Sequence, residues 1–266
     1  MLSAAALRIQ IEDALATRFP AALTPVARTI CEVAATGIPA VDALLDGGLP
    51  VGAISELVGQ ECSGRTSLAL AFVARKTAAA QVCAWVDAGD AFDPESAAAS
   101  GVRLRQLLWV RCRDSAIYAP KTRWKSEERP WTRLDQALRV TDLLLQAGGF
   151  GVIVLDFGGM DAAHGMRIPL ASWFRFRQAA DRTRCSLVVL GRASFAQSSA
   201  TVVVDCAAAC AQSLGETVLT ASSFEYNRRR QRFSPQMSVA RKPPASTWIA
   251  QTAWAAQAAW STGRSA

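Results

Sequence analysis

The segment GQECSGRTS at residues 59–67 constrains the fold of this chain more than any other feature. It stands between a strand-length apolar run and a stretch with helical periodicity, the position in which a glycine-rich loop cradles phosphate groups. The residues that match the pattern GxxxxGK[ST] are Gly59, Gly64 and Thr66, followed by Ser67. Arg65, however, replaces the lysine that reaches the phosphates in this pattern. The segment therefore predicts a degenerate phosphate-binding loop between a strand and a helix.

Strand-length apolar runs alternate with helical stretches from residue 36 onward. The predicted strands are Ile54–Gly59, Val82–Asp87, Leu107–Cys112, Val152–Asp156, Leu187–Leu190 and Thr201–Asp205, and the predicted helices are Gly64–Ala80, Leu134–Gln146 and Leu170–Arg182. Several strands are apolar at every position, as expected for parallel strands that are covered on both faces. The alternation predicts an α/β fold with a mainly parallel, twisted sheet flanked by helices. Asp156 closes one of these strands, where proteins with phosphate-binding loops carry an acid that supports magnesium.

The chain is predicted to form one main domain with an extension at each end. Residues 1–35 contain a predicted amphipathic helix over 4–19 and a linker, 36–240 form the core, and 241–266 form a tail. Because the apolar stripe of the helix needs a partner, this segment is predicted to be an arm for oligomerisation or partner binding. Three tryptophans in the tail are six residues apart and do not share one helical face, so a packed terminal arm and a partner site are both open.

The composition favours an acidic partner and argues against several kinds of site. The formal net charge is +7 and arises mostly from arginine, which favours an acidic partner such as nucleic acid. An arginine- and alanine-rich composition from GC-rich coding is the alternative. Seven scattered cysteines and a single histidine argue against a metal site, a disulfide framework and a histidine-based triad. No apolar run reaches membrane-spanning length, and acidic residues stand near the start, so a cytoplasmic protein without a membrane contact is expected.

Three basic segments are candidates for binding DNA or a protein partner. The first interleaves cations with aromatic side chains, as binding to single strands requires, and its candidates are Arg123, Trp124, Lys125 and Trp131. The second is the helix over 170–182, with candidates Arg175 and Arg177; the third is a predicted hairpin, with candidates Arg228, Arg229 and Arg230. The alternatives are a solvated loop for the first, a core-packed aromatic face with outward arginines for the second, and subunit assembly or solubility for the third.

Residues 36 to about 240 resemble the RecA-like recombinase family. The resemblance rests on TGIPAVDALLDGGLPVGAISELVGQECSGRTSLAL, FGVIVLD, LVVLG and EYNRRRQRFSPQMSV. More narrowly, AGDAFDP, LLWVRC, LLLQAGGFGVIVLD and IPLASWFRFR resemble the ImuA-type branch, whose members are accessory proteins of damage-induced mutagenesis. The resemblance implies a RecA-like core and, as partners, an ImuB-like relative of Y-family polymerases and an error-prone replicative-type polymerase. DNA, a RecA contact or a homo-oligomer are further partners that it implies.

Three departures from the family pattern fall at the predicted site. Besides Arg65, Gly89 stands where active ATPases carry the acid that orients the attacking water, and Arg192 stands at the polar switch position. Asp90 could replace the missing acid only if the turn differs. We therefore expect no catalytic residue and no required cofactor, with weak binding of ATP and magnesium left open. The residues that would then contact the nucleotide are Gly59, Gly64, Arg65, Thr66, Ser67 and Asp156.

Arg65 is expected to pair with Asp156 or Glu61 and to fill part of the phosphate cradle, since a planar guanidinium favours a carboxylate. Together with these departures, the resemblance implies a non-hydrolysing scaffold in SOS-type damage tolerance and translesion synthesis. The alternative is a DNA-dependent ATPase that binds single strands and forms or modulates filaments.

Overall fold

The computed structural model describes residues 32–113, 132–160, 162–214, 218–232 and 246–251. Several predictions fall elsewhere in the chain. The predicted N-terminal helix over 4–19, most of the predicted tail and the first basic segment, with Arg123, Trp124, Lys125 and Trp131, lie outside the described residues.

The described chain contains the alternating elements that the sequence predicts. The helices are α1 (Pro39–Leu44), α2 (Arg65–Ala78), α3 (Pro94–Ala99), α4 (Arg133–Ala147), α5 (Ala162–Gly165) and α6 (Leu170–Thr183). The strands are β1 (Val33–Ala34), β2 (Leu49–Pro50), β3 (Ile54–Val58), β4 (Val82–Asp87), β5 (Leu107–Arg111), β6 (Phe150–Asp156), β7 (Ser186–Gly191), β8 (Val202–Leu214), β9 (Val218–Gln231) and β10 (Ser246–Gln251).

One eight-stranded sheet forms the centre of the fold, in the order β10-β9-β8-β3-β7-β6-β4-β5. The strands from β8 to β5 in this order are parallel, whereas β9 pairs antiparallel with both β8 and β10. The predicted α/β fold with a mainly parallel sheet is confirmed. β1 and β2 form a separate small antiparallel pair.

The register brings the carboxyl ends of the central strands to one edge. Asp87 of β4 lies opposite Asp156 of β6, and Asp156 lies opposite Leu190 of β7. Val58 of β3 lies opposite Gly191 of β7. The residues that follow β3, β4, β6 and β7 therefore converge, as expected for a ligand site of a parallel sheet.

Two apolar clusters cover the two faces of the sheet. Side chains of α2, including Phe72, pack with Trp85 and Val154 on one face. Side chains of α6, including Trp173, pack with Ile153 on the other face. Successive residues of β6 contribute to opposite clusters because side chains alternate along a strand. Each fully buried aromatic side chain stabilises this arrangement by about 1.5–3 kcal/mol.

The largest difference from the prediction is the length of β8. The sequence predicts a strand over Thr201–Asp205, whereas β8 spans Val202–Leu214 and continues into an antiparallel hairpin with β9. Its second half, CAAACAQSL, consists mostly of small or polar residues, and residues 207–212 are exposed. The sequence therefore contains no run of large apolar residues that would indicate a strand here. The described part of the chain contains no helix that combines the length and apolar character needed to cross a membrane.

Candidate functional site

The predicted phosphate-binding loop connects β3 to α2, and its two glycines are required by close packing. Gly64 has φ 81°, and a Cβ at this position would lie 2.4 Å from Cγ of Phe224 on β9. A Cβ on Gly59 would lie 2.4 Å from Oγ of Ser63 and 2.5 Å from the carbonyl oxygen of Cys206. The glycine spacing of the loop thus fits the approach of the β8–β9 hairpin as well as the motif.

Arg65, the first residue of α2, is only 7% exposed and lies inside the loop. One end of its guanidinium donates a hydrogen bond to the carbonyl oxygen of Gly59, and the other donates to the carbonyl oxygen of Gly158 at 2.9 Å. The arginine therefore bridges the loop and the segment after β6. The predicted ion pair with Asp156 or Glu61 is wrong, because both contacts of this guanidinium are to backbone carbonyls.

Asp156 ends β6 and is 6% exposed. Burial raises the pKa of its carboxyl to about 6, although the hydrogen bond from Gly158 N and the charge of Arg65 both act to lower it. The Gly158 N–H donates to Oδ1 at 2.8 Å. Asp156 therefore holds the turn that presents the Gly158 carbonyl to Arg65, and its carboxyl takes up a proton at mildly acidic pH.

The β4–α3 turn, which contains Gly89, is organised by Asp87. This residue is fully buried, and its carboxylate accepts hydrogen bonds from Ala91 N at 3.0 Å and Phe92 N at 2.9 Å. Gly89 packs against the segment after β6, where a Cβ on it would lie 3.4 Å from Cα of Gly158. Asp87 is thus engaged in holding the backbone of the turn.

Asp90 does not supply the missing acid. Its two carboxylate oxygens accept hydrogen bonds from Arg111 on β5, from Nε at 2.6 Å and from Nη2 at 3.0 Å. This bidentate contact lowers the pKa of the Asp90 carboxyl. The alternative in which Asp90 replaces Gly89 therefore has no support in the geometry of the turn.

Arg192, at the predicted switch position after β7, forms an ion pair with Glu61 of the loop. A Cβ on Gly159 would lie 3.4 Å from Oε1 of Glu61 and 3.5 Å from Nη2 of Arg192, so the pair sits against the segment after β6. The Glu61 side chain is 68% exposed, which places the pair at the surface. Two arginines, one buried and one at the surface, thus connect the segments that converge at this edge.

Glu56 is a site residue that the sequence reading missed. It lies within β3 at 1% exposure and accepts hydrogen bonds from Phe195 N at 2.6 Å and Ala196 N at 2.8 Å. The hydroxyl of Ser194 donates to its other oxygen. The sequence feature that could have revealed this residue is the single acid in the strand-length run ISELV. An acid within a buried strand indicates a carboxylate that accepts hydrogen bonds from nearby donors. Glu56 fixes the connection between β7 and β8.

A cavity of about 380 Å³ lies beside Arg65, between the loop, the β4–α3 turn and Asp156. Its polar lining is formed by Glu61, Arg65, Thr66, Asp93, Ser96 and Asp156. These residues do not fit a magnesium nucleotide held in the manner of a phosphate-binding loop. The cation that should reach the phosphates is bound to two backbone carbonyls instead. No group of three or more His, Cys, Asp or Glu side chains within the described ranges could hold a metal ion.

The structure separates the basic candidates from this cavity. Arg228 and Arg230 lie opposite Val204 and Val203 of β8, which in turn pair with Leu57 and Glu56 of β3. None of the three arginines on β9 is among the residues that line the cavity. Arg228 pairs with Asp46 at 2.7 Å, and Arg229 pairs with Asp205. Arg230 donates to the carbonyl oxygen of Gln197.

The helix α6 has the predicted core-packed aromatic face with outward arginines. Trp173 and Phe176 are fully buried, whereas Arg175 and Arg177 are exposed. Arg175 pairs with Asp142 of α4 at 3.0 Å. Both predicted candidates on this helix line surface cavities: Arg177 lines a groove that is described below, and Arg175 lines a second one together with Gln178 and Asp181.

Comparisons with known proteins agree with this geometry. Residues 6–118 match the RecA N-terminal domain. Protein RecA of Ruegeria pomeroyi is 37% identical over 126 residues, which make up 47% of this chain and 31% of that protein. Protein RecA of Allorhizobium ampelinum is 39% identical and that of Deinococcus radiodurans is 36% identical, each over 126 residues and 30% of its length. The chain thus spans about a third of these relatives.

Similarity of fold extends over more of the chain. The crystal structure of the RadB recombinase superposes with a TM-score of 0.53 and 16% identity, covering 82% of this chain and 94% of that one. The fold is therefore a RecA-like core, in which a mostly parallel sheet is flanked by helices.

Proposed function

We propose that this chain belongs to the RecA-like superfamily and is a non-hydrolysing, cytoplasmic accessory protein of the ImuA type. In this proposal it supports translesion synthesis in SOS-type DNA damage tolerance. Its partners are an ImuB-like relative of Y-family polymerases and an error-prone replicative-type polymerase, with DNA, RecA or a second copy as further contacts. The RecA-like core serves as a scaffold in this role.

The observation that carries the proposal is the position of Arg65. Its guanidinium donates to the carbonyls of Gly59 and Gly158 and thereby joins two segments that a bound nucleotide would otherwise bring together. Gly89 supplies no carboxylate, and Asp90 is occupied by Arg111. A RecA-like site that is held together by its own side chains is suited to a scaffold and unsuited to turnover.

Calorimetric titration with ATP and magnesium, followed by a hydrolysis assay, tests the loss of nucleotide chemistry. We expect no low-micromolar binding and no turnover for the natural chain. The double variant Arg65→Lys/Gly89→Glu restores the two expected residue types, and it is expected to bind ATP more tightly than the natural chain. Gly89 can accept a side chain because its φ is not positive and its nearest contact is 3.4 Å away. Low-micromolar binding together with turnover in the natural chain would contradict the proposal.

Co-purification with the damage-inducible polymerases tests the scaffold role. The full chain is expected to associate with at least one of the two polymerases, and the assay is run with and without DNA. Absence of association in every condition would remove the scaffold role and leave DNA binding as the main candidate.

A DNA-dependent ATPase that forms or modulates filaments is the second candidate. It is favoured by the sequence match of residues 6–118 to the RecA N-terminal domain and by the relatives named RecA. Hydrolysis that rises on addition of single-stranded DNA would support this candidate over the first. Equal background hydrolysis with and without DNA would oppose it.

A further inference from the structure

The helix α6 presents apolar side chains on its outer face as well as on its buried one. Leu170 and Phe174 are 51% and 55% exposed, although they are two of the largest apolar residues of the helix. They are four residues apart and therefore lie on the same face, one turn from each other. Met166, which precedes the helix, is 53% exposed. Exposed apolar side chains that are grouped in this way mark interaction sites more often than single ones do.

Phe174 also lines a groove of about 420 Å³ beside α6. The far wall is formed by the short turn Gln197–Ser199 and by Thr201, and the floor by Gly52 and Ala53. This groove, together with Leu170, is called the α6 groove below. It lies at the amino ends of β3 and β8, so it is distinct from the cavity beside Arg65.

Charged side chains stand at the rim of the α6 groove. Arg177 and Arg232 are cationic, and Asp181 is the one acid among its lining residues. Arg232 is fixed in place, since its Nη1 donates to the carbonyl oxygen of Ser198 at 2.6 Å. Arg177 follows Phe174 by one turn and is exposed. Two cations and one acid beside an exposed aromatic ring favour a ligand that combines negative charge with an apolar contact.

We propose that the α6 groove binds an amphipathic segment of a partner protein whose apolar anchors are flanked by aspartate or glutamate. Apolar anchors of the partner contact Leu170 and Phe174, and its carboxylates face Arg177 and Arg232. This is the helix-in-groove mode of recognition, in which the apolar face of the partner segment packs against the groove. The inference deepens the proposed scaffold role, on which its biological meaning rests, by naming the surface and the chemistry of the partner.

The apolar strip favours a polypeptide over a nucleic acid at this surface. The leucine side chain of Leu170 offers no ring on which a base can stack, so Phe174 alone would serve that purpose. Asp181 would repel phosphates and carboxylates alike, so it does not distinguish the two classes of partner.

A fluorescence anisotropy titration of the full chain tests this proposal with a defined probe. The probe is a labelled synthetic 18-residue peptide of glutamate, alanine and leucine, with the leucines on one helical face. One control peptide has the same composition with the leucines scrambled, and another has lysine in place of glutamate. We expect the acidic amphipathic peptide to bind more tightly than both controls.

Variants of the chain locate the binding. Leu170→Ser and Phe174→Ser are each expected to weaken binding about tenfold or more, as for central anchors of an interface. Arg177→Glu/Arg232→Glu is expected to weaken it and to shift the preference toward the lysine peptide. Leu108→Ser alters a leucine that is 43% exposed on β5, at the far end of the sheet, and is the matched control with unchanged binding.

Two results would overturn the proposal. One is binding of the acidic peptide that is no tighter than that of the scrambled peptide, or that Phe174→Ser leaves unchanged. The other is tight binding of a 20-residue oligo-dT that is lost in Phe174→Ser and Arg177→Glu, which would assign the surface to single strands. Circular dichroism verifies that each variant is folded. Because the peptide assay contains no polymerase, failed polymerase association would count against the proposed function alone.

Discussion

The loop edge of the sheet and the outer face of α6 use arginine in opposite ways. At the loop edge, Arg65 is 7% exposed and both of its contacts are to backbone carbonyls of the same chain. On the outer face of α6, Arg177 is exposed and stands next to the exposed ring of Phe174. The phosphate-binding loop is the clearest ligand-binding motif in the sequence. In the structure, the cation of this motif, Arg65, is thus bound to the chain's own backbone. The exposed side chains of α6, by contrast, lie at a surface that no motif marks.

Replacement of Arg65 by leucine is expected to have the largest effect on stability. The variant leaves the carbonyls of Gly59 and Gly158 without their buried donor, at a cost of about 2–4 kcal/mol in the free energy of unfolding. Chemical denaturation measures this change. A loss below about 0.5 kcal/mol would show that the arginine does not hold the two segments together, and the comparison between the two regions would fail.

The stability of the chain is expected to depend on pH through Asp156. The pKa of its carboxyl is about 6 in the folded state, above its ordinary value, so the folded chain holds a proton that the unfolded chain releases. Stability therefore falls as pH rises from about 4 to about 6, by about 2–3 kcal/mol, and is level above that range. Denaturation across this range should show that Asp156→Asn lacks this decline.

Asp93 provides the control for the sign of this effect. Hydrogen bonds from Ser96 and Glu95 lower the pKa of the Asp93 carboxyl, which caps the start of α3. Its contribution to stability is therefore lost as pH falls through that lowered pKa. A decline that persists in Asp156→Asn and vanishes in Asp93→Asn would contradict the assignment to Asp156.

A smaller effect is expected for Arg192→Ala. The Glu61 partner is 68% exposed, so the ion pair is screened by solvent and contributes about 0–1 kcal/mol. Thermal unfolding in low and high salt measures it, and the difference from the natural chain should shrink as salt is added. A loss as large as that of Arg65→Leu would mean that the surface pair, and not the buried bridge, holds this edge.

The smallest effect is expected for Phe174→Ser, which should change the free energy of unfolding by about 0.5 kcal/mol or less, since the ring is exposed. The contrast with its expected effect on peptide binding separates a binding surface from a structural one. A strong loss of stability measured by denaturation would show that Phe174 belongs to the core.

The sequence predicted the elements best where a strand is apolar and sharply bounded. β4 has the predicted limits Val82–Asp87, and α4 differs from its predicted limits by one residue at each end. The capping box between Thr132 and Asp135 explains where α4 begins. β8 was predicted too short because its second half is stabilised by pairing with β9 and not by large apolar side chains.

The convergence of the predicted residues could be read from the sequence, whereas their contacts could not. Gly59, Gly64, Arg65 and Asp156 do converge at one edge of the sheet, as the motif and the strand order imply. The partner of Arg65 could not be read from the sequence, because the carbonyl of Gly158 approaches from a segment 93 positions away. Local pattern specifies which residues meet at a parallel-sheet edge, whereas tertiary approach decides which atoms they bind.

The contact of the β8–β9 hairpin with the loop has a mechanical consequence. The ring of Phe224 lies against Gly64, and the Tyr226 hydroxyl donates to the Gly64 carbonyl oxygen at 3.2 Å. A displacement of residue 64 would push directly on Phe224 and Tyr226 of β9. Because β9 is hydrogen-bonded to β8, and β8 to β3, such a displacement would be passed to the strand from which the loop itself begins.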